Sequence, residues 1–173
     1  MLNTGVAGLA LAVGLFFSLG TAQVQAEDTD QAALAKDLEA ASATLEDGLQ
    51  AAAPVGRPIS AKFEIEKGQL QLSVYVVTGD EYAEVFVSTS TGVLMAKEKI
   101  TDTEDLESAA AQKKAMESAT TTLAVATTRA LQQNGGSRAV SVIPALQAGR
   151  PVAEVTILSR GQLKAISEGL KLK

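Results

Sequence analysis

A duplication at a fixed offset constrains this chain more than any other feature. Gly68 stands between two alternating apolar runs, and Gly149 stands between two more, 81 positions later. The same offset pairs Arg57 with Arg138, Ile59 with Val140, Ala61 with Val142, Ile65 with Leu146 and Val74 with Val155. Two copies of a helix-plus-hairpin unit would leave this pattern. The expected fold is α+β: two repeats of a helix packed on a three-stranded antiparallel meander.

The strand register follows from alternation. A two-residue turn at Lys67-Gly68 sets Ile65 against Leu70, Phe63 against Leu72, Ala61 against Val74 and Ile59 against Val76. All four pairs are apolar on one face, and a one-residue slip would bring polar residues there. A turn at Gly79-Asp80 then sets Val76 against Ala83, Val74 against Val85 and Leu72 against Val87. In the second half an Ala148-Gly149 turn sets Val140, Val142, Pro144 and Leu146 against Ile157, Val155, Ala153 and Pro151. Neither proline can donate to a ladder, so fraying or an edge position is expected there. A three-residue turn at Ser159-Arg160-Gly161 would pair Ile157 with Leu163 and Val155 with Ala165, leaving Ile166 outward.

Helices are expected at two places. Leu34, Leu38, Ala41, Leu45 and Leu49 form one apolar face, ended by Pro54, Gly56 and Pro58. A second helical stretch starts at Thr101-Asp102-Thr103-Glu104, which has capping-box spacing. Its first half is charged and alanine-rich and reads as a solvated linker helix. Its second half carries Leu123, Ala126, Ala130 and Leu131, with a break near residues 116–118. Asn134-Gly135-Gly136 stops it. The expected organisation is a leader over 1–26, a first unit over 27–100, a linker helix over 101–117 and a second unit over 118–173.

The leader is read from an apolar run, Val6 to Gly20, followed by Val24-Gln25-Ala26. Small residues at 24 and 26 suit cleavage after Ala26, and the run is short for a span, which needs about 20 apolar residues. Export to a secreted or periplasmic location is the expectation, with no stable span after cleavage. No cysteine follows the run, so a lipid anchor on cysteine is not expected.

The residues from Tyr82 to Leu94, Tyr-Ala-Glu-Val-Phe-Val-Ser-Thr-Ser-Thr-Gly-Val-Leu, resemble the end of a PepSY domain. That family's third strand ends in a Val-Asp-x-x-Thr-Gly-x-Val-like stretch. Val87, Thr91, Gly92 and Val93 fit it, with Ser88 where aspartate is usual. The second half is similar through Asn134-Gly135-Gly136 and the strand Gly149 to Val155, with Glu168-Gly169-Leu170 a loose match to the ending. The resemblance implies a non-enzymatic protein that binds a protein partner, with a secreted peptidase to inhibit or regulate as the candidate. The alternative is a structural, envelope-associated module without inhibitory action.

Composition narrows the chemistry. The chain has no histidine and no cysteine, which removes Ser-His and Cys-His nucleophiles and ordinary zinc sites. No catalytic residue, cofactor site or metal site is expected. A net charge of −5 without a basic block argues against nucleic acid. The acidic groups at Glu27-Asp28-Asp30 and Asp102-Glu104-Asp105-Glu107 lack calcium-loop spacing and suit helix N-termini. Arg57 and Arg138 would hold a peptide carboxylate, cap the preceding helix or pair with a nearby acid. Beyond the leader the aromatic residues are Phe63, Tyr75, Tyr82 and Phe86. The register sends Tyr75, Val77, Tyr82 and Phe86 to the sheet face away from the helix. They are either an open partner-binding patch or a contact covered by another part of the chain.

Overall fold

The computed structural model describes residues 23–171, with side-chain surroundings from residue 31 onward. The expected leader over 1–26 lies outside the described residues as far as residue 22, and so do the side chains at its expected cleavage site.

The alternating runs form the expected hairpins, but they do not build two units. Strands β1 (Arg57–Glu66), β2 (Gln69–Thr78), β3 (Glu81–Val87), β4 (Leu94–Lys99), β5 (Arg138–Gln147), β6 (Arg150–Ser159) and β7 (Gln162–Gly169) make one antiparallel sheet. Its order is β4-β3-β2-β1-β5-β6-β7. This overturns the expectation of two repeats of a helix on a three-stranded meander. Each meander would have left an open β1 or β5 edge, and the two edges satisfy each other. The seam is short: Ala61 pairs with Val142 and Lys62 with Ser141. Ala61 and Val142 are themselves 81 positions apart.

Most registers match the alternation. Phe63 faces Leu72, Ala61 faces Val74 and Val142 faces Val155. Bulges at Ile59 and Val140 shift the outer pairs, so Pro58 meets Val76 and Ala139 meets Ile157. These bulges also stand 81 apart. Pro144 and Pro151 are paired in the β5–β6 ladder rather than frayed, because Pro144 lies beyond the two-residue seam and owes β1 no donor. The last hairpin differs from expectation. Arg160 and Gly161 both have positive φ, giving a two-residue turn that sets Leu158 against Leu163 and Val155 against Ile166. Ile166 is therefore half-buried against the core, not outward.

Helices α1 (Gln23–Ala40), α2 (Leu45–Ala52), α3 (Thr103–Glu117) and α4 (Leu123–Gln133) cover the sheet. The apolar face expected as one helix is split between α1 and α2. Thr44 caps α2, accepting from Asp47 N–H at 3.1 Å, while Asp47 accepts from Thr44 N–H at 2.8 Å. These bonds hold the Asp47 carboxyl below its ordinary value. Ala43 N–H, freed from any helix, donates to the Thr89 carbonyl in the β3–β4 turn. Helices α2 and α4 lie on the face carrying Leu72, Val74, Val142 and Val155, all 0% exposed. Helix α3 lies on the other face, against β1, β5 and β6. It is not a solvated linker, since Ala109, Ala115 and Met116 are buried. Its cap is Asp102, which accepts from the N–H groups of Glu104 and Asp105. The result is three layers, with core on both sides of the sheet.

Candidate functional site

The layer order decides the fate of the aromatic patch. Tyr75 and Val77 sit beneath α3 and are 9% and 6% exposed. The Tyr75 hydroxyl donates to Asp105 Oδ1 at 3.1 Å. Burial, with Glu84 and Asp105 nearby, pushes its ionisation well above the ordinary tyrosine range, so it serves only as a neutral donor. Tyr82 is half-buried, with Lys113 Nζ 6.0 Å from its ring centroid. Lys113 is held there by Gly79 O at 3.1 Å and Asp80 Oδ1 at 3.0 Å. Tyr75 and Phe86 both line a groove, Phe86 being the more exposed of the two. Tyr75→Ala should therefore lower stability by about 3 kcal/mol, as a core truncation, whereas Phe86→Ala should cost under about 1.5 kcal/mol. Thermal melts of the two variants check this.

Helix α3 does not reach the upper end of β1–β4, and a concave groove of about 280 Å³ remains there. Its wall is acidic, formed by Glu64, Glu66, Glu84, Glu98 and Asp105. Tyr75 and Phe86 form the apolar part of its floor. The two lysines in it are already engaged: Lys62 Nζ is 2.7 Å from Glu64, and Lys67 Nζ is 3.8 Å from Glu66. Among the described residues no basic side chain forms an ion pair with Glu84, Glu98 or Asp105. Glu84 and Glu98 are direct cross-strand partners, and Tyr75 continues their row on β2.

Burial raises the Glu84 carboxyl above its ordinary value, only partly offset by the Ser73 hydroxyl and Lys62. A carboxyl raised by folding weakens the fold once it is ionised, so its penalty is absent below the unfolded value and grows as pH rises through the folded value. Glu84→Gln should thus melt higher than the parent at pH 7 and equal to it at pH 4. Melts across that range check the sign.

The remaining sequence candidates have structural places. Arg138 donates from Nη2 to the Ala43 carbonyl and lies 5.9 Å from the Phe63 ring centroid. It ties β5 to the α1–α2 connection, and burial lowers its guanidinium from the ordinary value. Arg57 is exposed. Gly135-Gly136 is the turn into β5. Asp102 and its neighbours serve the α3 N-terminus. Among the described residues no cluster of three or more acidic side chains is placed to hold a metal ion. Sequence reasoning missed the groove because β4 was not expected, and without β4 nothing sets Glu98 beside Glu84.

No family model matches the chain, and no curated protein matches it. A solved structure of a candidate lipoprotein from Clostridium difficile 630 aligns at 15% identity and a TM-score of 0.39. The alignment covers 67% of this chain and 77% of that one. Among the described residues no helix is long and apolar enough to cross a membrane.

Proposed function

We propose that this chain is an exported, non-catalytic binding protein whose partner is another protein. The observation that carries the reading is the surface α3 leaves open: an acid-walled groove that runs to an unpaired strand edge. The six residues of β4 are all exposed, and Val93 and Met95 beside and within it are 62% and 67% exposed. Such a surface suits polypeptide contact, because an exposed edge strand beside the groove can pair with an added strand. The apolar leader supports export to a secreted or periplasmic location. The absence of histidine and cysteine supports a role without nucleophilic chemistry. A peptidase is the partner class that the PepSY resemblance implies.

A photo-crosslinking residue at Ala96 on β4, and another at Lys164 on β7, test the reading in the source organism. A discrete protein adduct from position 96 and none from 164 is the expected result. No adduct from position 96 would remove the reading. N-terminal sequencing of the exported protein should begin at Glu27.

A further inference from the structure

The groove contains an arrangement that folding alone disfavours. Glu84 and Glu98 oppose each other across the β3–β4 ladder. Like charges in that position destabilise a sheet. Among the described residues neither forms an ion pair with a lysine or arginine, although two lysines stand in the same groove. Phe86 and Ala96 form the next cross-strand pair, so an aromatic ring stands beside the two carboxylates. A cation seated there would gain two charge-assisted bonds and an aromatic face.

The second observation is the edge itself. β4 pairs only with β3, and its outer backbone groups have no strand partner among the described residues. β7 is the other edge, and it contributes no residue to the acidic groove. Lys97 and Lys99 pair with Val85 and Ala83, on the other side of β4 from Glu98. They guard the edge against indiscriminate pairing but leave the groove side acidic.

We propose that β4 accepts an extended polypeptide segment as an added strand, with an arginine or lysine of that segment seated between Glu84 and Glu98 on Phe86. Backbone pairing supplies affinity, and alternate basic side chains reaching the groove supply selectivity. The inference rests on the binding reading above and specifies the chemistry of its partner.

The test is fluorescence anisotropy of the purified chain with a labelled peptide alternating arginine with threonine or valine. Saturable binding that weakens with salt is expected. Replacing arginine by glutamate in the peptide should cost about tenfold or more in affinity, and so should Glu84→Gln with Glu98→Gln in the protein. N-methylation of alternate peptide amides, which removes the donors β4 needs, should abolish binding. The double variant relieves repulsion, so it should fold and melt no lower than the parent. Equal affinity for the acidic peptide, undiminished binding of the N-methylated one, or an unaffected double variant would each overturn the proposal. So would sedimentation as a dimer with the β4 amides protected by a second copy. If position 96 still crosslinks a protein and the basic peptide fails to compete, the binding reading survives and this one falls.

Discussion

Val142→Asp is expected to unfold the whole chain, not its second half. Val142 is 0% exposed and faces Ala61, itself 1% exposed, across the seam that joins the two hairpin sets. A carboxylate there would lie between the sheet and its helices, among apolar neighbours. An unpaired buried charge costs several kcal/mol, a large part of the roughly 5–15 kcal/mol that holds a domain together. Two independent units would confine the damage to residues after 117. One sheet spreads it, because β1 loses its neighbour and regains an open edge. Hydrogen exchange followed by peptide should show lost protection in β2 and β6 alike. Retained protection in β1–β3 would contradict a single cooperative sheet.

The second large effect is Leu72→Ala, expected to cost about 3–4 kcal/mol and to lower the melting temperature by roughly 10 °C. Leu72 is fully buried under α2. A Cβ built on Gly48 would stand 2.9 Å from Leu72 Cδ2, so the helix backbone rests directly on the leucine. This contact gives the prediction a second arm. Gly48→Ala in the parent must displace Leu72, and its cost offsets the usual helix gain of about 1 kcal/mol. In the Leu72→Ala background the same methyl enters vacated space. The two changes together should therefore be milder than the sum of the single effects, by about 1 kcal/mol or more. Strict additivity in thermal melts would show that the helix does not sit on the leucine.

These two positions also mark what could be read in the sequence. Leu72 was legible: alternation on β1, on β3 and over the first half of β2 leaves one register that keeps the helix face apolar. The seam was not. It consists of two residue pairs far apart along the chain, and no local pattern announces them. β4 was hidden because Leu94-Met95-Ala96-Lys97-Glu98-Lys99 has neither alternation nor β-branched residues, as an exposed edge needs neither. α3 looked solvated because its buried side is made chiefly of alanines, which let a helix approach a sheet without large apolar residues. One signal was available and passed over. Val74-Tyr75-Val76-Val77 is an unbroken apolar run, which marks a strand covered on both faces. Read that way, Tyr75 and Val77 belong to the core, and Tyr82 and Phe86 are the patch residues that keep partial exposure. Of the groove acids, Glu64 and Glu66 alternate visibly on β1, and β3 supplies Glu84 alone. Their convergence depends on β4 and on where α3 starts.

The passage from α3 to α4 carries the chain from one side of the sheet to the other, and it is fastened at the C-terminus. Thr120 N–H donates to the Lys171 carbonyl at 2.7 Å, Lys171 N–H donates to Thr121 Oγ1 at 3.1 Å, and Leu170 beside them is buried. The two partners of this clasp stand 51 residues apart along the chain. Closing a loop of that length costs more entropy than zipping the two-residue turns of β5–β6 and β6–β7. Those hairpins are therefore expected to form first, and the clasp then fixes the crossing of the sheet by joining it to the segment after β7.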